Sequence, residues 1–154
     1  MIIKVAGITE EGDRIQGEES AGILELGQDH LIRIDSAIRY DFMVQKVSDE
    51  LLVTGQLAVD AAECCSRCAV FFSTTLKVSS FLRGYPVPEG TETVDLTQDI
   101  REDILLSLPA FYLCSPTCKG LCVKCGKNLN EGPCSCRTGS IQVDRWSELD
   151  KLDI

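Results

Sequence analysis

Eight of the nine cysteines in this 154-residue chain fall into four close pairs, and the last two pairs share one short stretch, GLCVKCGKNLNEGPCSC. Cys122 and Cys125 flank two residues, Gly126 follows, and Cys134 and Cys136 close the unit with one residue between them. Two cysteines three positions apart, with a glycine just past the second, let the backbone curl so that both sulfurs point at one centre. Four thiolates at about 2.3 Å complete a tetrahedral zinc shell, which can fold a segment with almost nothing apolar to bury.

Composition favours metal over disulfides. The opening MIIKVAGITEEGDRIQ lacks the basic, apolar and small-residue regions of a secretory signal, so the expected compartment is the reducing cytoplasm, where clustered cysteines bind metal more often than they pair. An odd count of nine also argues against a complete disulfide framework. No apolar run approaches the roughly 18 residues of a membrane span, and no membrane association is expected. The length fits one core with a small appendage.

Charge divides the chain. Residues 1–113 carry 9 Lys+Arg against 19 Asp+Glu, whereas residues 114–146 carry 5 against 2. An acidic body binds phosphate poorly, because nucleic-acid affinity comes from Lys and Arg displacing counterions. It suits a basic protein partner, such as a ribosomal protein. Direct RNA contact is expected through the cysteine-rich end, with Lys119, Lys124, Lys127 and Arg137 as candidates; the competing reading is that they are solvated surface charges.

The body reads as antiparallel sheet. Ile38, Tyr40, Phe42 and Val44 alternate with Arg39, Asp41 and Gln45; after the polar turn Ser48-Asp49-Glu50, Leu51, Val53, Leu57 and Val59 oppose Thr54, Gln56 and Asp60. A third run, Phe71 to Leu82, sets Phe72, Thr74, Leu76 and Val78 against Ser73, Thr75, Lys77 and Ser79. These three form a meander, which apolar segments near Ile2–Val5, Ile23–Leu26 and Leu31–Ile34 would extend. Pro86, Pro88 and Gly90 end the sheet. Asp95 or Thr97 then caps a helix over about 97–108 carrying Leu96, Ile100, Ile104, Leu105 and Leu108, which Pro109 stops. Asp99, Glu102 and Asp103 are expected on its wet face rather than in catalysis. The expected architecture is α+β, mainly antiparallel β: a curled sheet or open β-barrel with one packed helix over residues 1–113, a zinc ribbon over 114–140, and a tail over 141–154.

The remaining pairs need partners. Cys65 and Cys68 occupy the tight turn between the second and third long strands, and Cys114 and Cys118 follow the segment LPAFYL. Structural zinc takes four ligands, so joining the pairs gives a second four-cysteine site. Cys64 is spare, either exchanging with Cys65 or serving as a small buried hydrophobe on the other face of the strand. Dithiol switches that release zinc on oxidation are the competing use of such pairs, although no helix N-terminus follows a strand to activate a thiol. Four thiolates suit iron as well as zinc. His30, the one histidine, stands apart from the cysteines, and no Ser, Lys or Cys is placed beside a base for hydrolysis.

CSRC at 65–68, DLTQDIREDILLSLP at 95–109 and CSPTCKGLCVKCGKNLNEGPCSC at 114–136 together resemble the bacterial and plastid YceD family, named for large-ribosomal-subunit RNA accumulation. The resemblance spans roughly residues 35–150. It implies the same partition: Cys65, Cys68, Cys114 and Cys118 in one zinc site, and Cys122, Cys125, Cys134 and Cys136 in the other. Val123 and Ala69 depart from the usual family residues without touching a ligand. Function by resemblance is non-enzymatic, in accumulation of large-subunit rRNA during assembly, alongside a ribosomal protein or an assembly intermediate. Arg67, between two ligands, is expected to orient the thiolates, the alternative being a phosphate.

Overall fold

The computed structural model describes residues 1–27 and 31–136. The expectations for His30, for Arg137 and for the 141–154 tail therefore lie outside the described residues.

Three long strands make the frame. β4 (Ile38–Val47) turns at Ser48 and Asp49 into β5 (Glu50–Cys64), which pairs on its other edge with β6 (Phe71–Pro86). Ser48 adopts a positive φ of 55° to make that two-residue turn, a conformation native to tight hairpins. Ile38, Phe42, Val44, Leu51, Val53, Leu57 and Val59 are all buried, so the period of two in the sequence is the inner face of the sheet. Phe81 packs against Phe42 with tilted rings, centroids 4.8 Å apart.

Gly55 sits in that inner row where a side chain would be expected. A Cβ there would lie 2.1 Å from the Asp41 carbonyl oxygen, and φ is 155°, so glycine alone permits β4 to pass this close. The β5–β6 register slips between Gly55 and Leu57, giving β6 one extra residue across from Gln56. That bulge moves the inward phase from Val78 to Phe81.

β2 (Asp13–Glu19) adds to the free edge of β4, and the two-residue β3 (Ile32–Arg33) pairs β5 at Ala62 and Glu63, in line with β4. The sheet is open: β2 and β6 are its edges and no described strand joins them. A second, two-stranded sheet pairs β1 (Ile2–Lys4) with β7 (Thr93–Asp95). Two expectations change here. Ile2–Val5 does not extend the meander but joins this separate pair. Ile23–Leu26 is not a strand: residues 21–24 form a 3-10 turn, because the Ser20 hydroxyl accepts the Gly22 N–H and Leu24 is pulled into the core.

α1 (Thr97–Leu106) covers the end of the inner face. The Asp95 carboxylate accepts the Thr97 N–H at 2.9 Å, while Leu96, Ile100 and Ile104 are buried. Asp99 and Asp103 are not simply a wet face. Arg83 Nε donates to Asp99 at 3.2 Å, its Nη2 to Asp103 at 2.5 Å, and the Tyr85 hydroxyl donates to Asp99 at 2.6 Å. The acids on the helix thus pin it to β6. No helix among the described residues is long and apolar enough to cross a membrane.

Candidate metal centres

The β5–β6 turn brings Cys65 and Cys68 to one end of the sheet. The Ala69 N–H closes on the Cys65 carbonyl at 2.9 Å, and Cys65 N–H donates to Val70 O at 2.9 Å. The chain leaving α1 returns to this turn: Ser66 N–H donates to Tyr112 O at 2.8 Å, and Tyr112 N–H to the Ser66 hydroxyl at 3.2 Å. Cys114 and Cys118 are thereby set opposite the hairpin cysteines, across an intervening length of chain that includes all of β6 and α1. Cys65, Cys68 and Cys118 are buried against Phe72; Cys114 faces solvent.

The second group is built locally. Gly126, at φ 73°, donates its N–H to the Cys122 carbonyl at 2.8 Å, and Cys122 N–H donates to Lys127 O at 2.8 Å. The chain then turns back through Asn128 so that Cys134 and Cys136 meet the first two sulfurs. This group is the more open one: Cys125 is exposed and the other three half-buried.

In each group the four sulfurs all lie within 4.8 Å of one another. A tetrahedron with metal–sulfur bonds of about 2.3 Å has edges of about 3.8 Å. Cys65 Sγ to Cys118 Sγ is 3.8 Å and Cys68 Sγ to Cys114 Sγ is 3.7 Å; Cys122 Sγ to Cys134 Sγ is 3.4 Å. A disulfide would bring sulfurs to about 2.05 Å. The spacing therefore fits sulfurs arranged around an ion rather than bonded to each other.

Electrostatics points the same way. Burial pushes the Cys65 thiol up, but the N–H groups of Cys114, Cys68 and Arg67 outweigh it and bring it down to about 6. Cys114 is pushed up to about 12, first by its hydrogen bond with Cys118 and then by burial. In the second group the N–H groups of Lys124 and Cys125 bring Cys122 down to about 6, while Cys125 and burial push Cys136 up to about 12. One sulfur of each set ionises readily and another resists. Two thiolates 3.8 Å apart repel by about 4 kcal/mol at an effective dielectric of about 20, so all four ionise together only around a cation. The donor set, all thiolate with no position for water, fits a structural ion.

The Arg67 N–H faces the Cys65 thiol, but the Arg67 side chain reaches carbonyls rather than sulfurs. Its Nη1 donates to the carbonyls of Cys118 at 3.1 Å and Pro116 at 3.4 Å, holding the second pair of cysteines against the hairpin through their backbone. Its own carbonyl accepts the Leu121 N–H at 3.0 Å. Asn130, which sequence reasoning missed, donates from Nδ2 to Cys118 Sγ at 3.3 Å and so links the second group's loop to the first group. The motif CGKNLN contained it, but nothing in the spacing marks which asparagine reaches a sulfur.

Cys64, half-buried, belongs to neither group; its N–H donates to Leu31 O in the β3 pairing. Beside it Glu63 is buried on the inner row with one carboxylate oxygen unpartnered, and burial pushes its pKa up. Lys119, Lys124 and Lys127 are exposed; Lys127 Nζ donates to Pro133 O at 3.0 Å and braces the loop before Cys134.

An open antiparallel sheet whose central hairpin carries half of one four-cysteine group, with a second group following directly, defines a cysteine-stapled β protein. The model of the large ribosomal RNA subunit accumulation protein YceD matches residues 82–153. Uncharacterized proteins of Mycobacterium tuberculosis and Mycobacterium bovis are 34% identical over 139 residues, covering 79% of this chain and 66% of theirs. The chloroplastic large ribosomal RNA subunit accumulation protein YCED homolog 1 of Zea mays is 38% identical over 56 residues, 36% of this chain and 19% of the maize protein. No solved structure matches. The chain belongs to the YceD family, and it spans 66% of the length of the mycobacterial relatives.

Proposed function

We propose that this chain is a non-enzymatic zinc-binding factor that supports accumulation of large-subunit ribosomal RNA. The observation that carries the zinc half is the packing of two sets of four sulfurs at tetrahedral spacing; the names of the family and of its plant members support the ribosomal half. Cys65, Cys68, Cys114 and Cys118 hold one ion, and Cys122, Cys125, Cys134 and Cys136 hold the other. The first ion staples the 1–113 body to the 114–140 ribbon, and the second folds the ribbon. The acidic body offers its surface to a basic ribosomal protein or to an assembly intermediate in the cytoplasm. Lys119, Lys124, Lys127 and Arg137 give the ribbon a modestly basic edge for RNA. Deleting the gene in its host and restoring it with wild-type or Cys65→Ser/Cys118→Ser chains tests this. Large-subunit rRNA should fall relative to small-subunit rRNA and recover only with the wild type; an unchanged ratio in the deletion contradicts the proposal.

A second reading has support in the openness of the second group. A thiol brought to about 6 beside an exposed cysteine is a site for oxidant attack, making Cys122 and Cys125 the place where a redox switch would release zinc. Mild peroxide followed by dye detection of zinc distinguishes the two: retention of metal rejects the switch.

A further inference from the structure

We propose that Asn130 is a positioning residue that couples the two cysteine centres: carried by the loop of the second, it orients Cys118 of the first, so that an ion in the second centre tightens the hold on the ion in the first. The inference rests on the metal-binding reading above.

The amide has one orientation that satisfies its neighbours. Lys119 N–H donates to Asn130 Oδ1 at 2.8 Å, and a backbone N–H can only donate, so the oxygen must face it. Nδ2 is then turned toward Cys118 Sγ at 3.3 Å, and its second hydrogen reaches Asn128 Oδ1 at 2.9 Å. Hydrogen bonds of this kind to a ligating atom fix its direction and stabilise its ionised form, and their loss typically costs about 10- to 100-fold in metal affinity.

Asn130 is itself held by the second centre's loop. Its N–H donates to Asn128 Oδ1 at 3.0 Å, Leu129 N–H donates to Gly120 O at 2.9 Å, and Leu121 bridges Asn128 as an isolated antiparallel pair. The next link is Cys122 N–H to Lys127 O at 2.8 Å, which is already part of the cysteine turn. A short ladder thus runs from Cys122 of one centre through residues 127–130 to Cys118 of the other. Emptying the second centre removes the ions' constraint on both ends of this loop, Cys125 and Cys134, and frees Asn130 to leave Cys118. By linkage the effect is reciprocal.

The test is a chelator titration of the full zinc-loaded chain, with freed thiols trapped by alkylation and mapped by mass spectrometry. In Asn130→Asp, which keeps the acceptor for Lys119 but loses the donor, Cys65, Cys68, Cys114 and Cys118 should become alkylated at about 10-fold lower chelator than in the wild type. Asn130→Ser serves as a second variant if the aspartate prevents folding. Cys125→Ser, which opens the second centre, should sensitise the same four thiols, and combining it with Asn130→Asp should add little further. Coincident alkylation curves for wild type and both Asn130 variants overturn the coupling, as does full additivity in the combined variant. If the wild type shows no metal at these four cysteines before chelator is added, it is the metal-binding reading that fails, and that outcome is visible before any variant is compared.

Discussion

Ala69 and Gly126 occupy the same place in the two cysteine turns. Each follows the second cysteine of its pair, each donates its N–H to the carbonyl of the first cysteine, at 2.9 and 2.8 Å, and each has a left-handed φ, 55° and 73°. A left-handed conformation costs an L-residue about 1–2 kcal/mol, partly offset by the lower entropy of alanine in the unfolded chain. The first turn carries that strain and the second avoids it. Ala69→Gly should therefore stabilise the metal-loaded protein by about 0.5 kcal/mol, and Gly126→Ala should destabilise it by a similar amount. A Cβ at Gly126 meets nothing within 4 Å, so its loss is backbone strain alone. Urea unfolding at neutral pH, read by far-UV circular dichroism, checks both signs.

Arg67 joins the hairpin to the Cys114–Cys118 loop through carbonyls rather than sulfurs. Arg67→Ala should cost about 1–2 kcal/mol, the worth of charged hydrogen bonds at a partly solvated site. It should also let chelator reach the first centre sooner, with a smaller effect on the second that arises only through the coupling of the two. Alkylation mapping of the two sets of cysteines reads that asymmetry, and equal sensitisation of both would reject this role.

The helix is held by Arg83, which lies between Asp99 and Asp103 with its side chain about one-third exposed (32%). Its pairs are partly solvated, so Arg83→Met should cost only about 1 kcal/mol, and Tyr85→Phe, which strips one donor from Asp99, about the same. Combined, the two changes should be less than additive, because both act on Asp99. Thermal unfolding of the single and double variants measures the coupling.

On the outer face Asp60 accepts from Arg39 and from the Thr75 hydroxyl, and these contacts, Arg39 first, bring its carboxyl down to about 2. A depressed carboxylate contributes stability that is complete above its unfolded pKa of about 3.9 and lost as pH falls through the folded value. The stability difference between wild type and Asp60→Asn should accordingly be constant from pH 7 to about pH 5 and shrink between pH 4 and 2. Urea midpoints across that range, both proteins metal-free, test the sign.

The three long strands were legible because one face of each is mostly apolar, and α1 because Leu96, Ile100 and Ile104 keep helical spacing. β2 was not: DRIQGEE offers a single apolar residue, Ile15, and the strand exists by backbone pairing along the edge of β4. β7 was missed for a related reason, since three residues acquire strand geometry only from β1. Asp99 and Asp103 looked like solvated charges because nothing local reveals that the bulge in β6 turns Arg83 inward to meet them. For the cysteines, spacing marked which sulfurs group together. Arg67 and Asn130, which orient the backbone and sulfur around Cys118, act through contacts that periodicity does not encode.

The most direct measurement is native mass spectrometry of freshly purified full-length protein, with elemental analysis of the same sample. Two zinc ions per chain, with all nine cysteines reduced once the metal is stripped, are the expected result. A chain that carries no metal, or whose mass falls by two hydrogens for each pair of cysteines joined, would contradict the account.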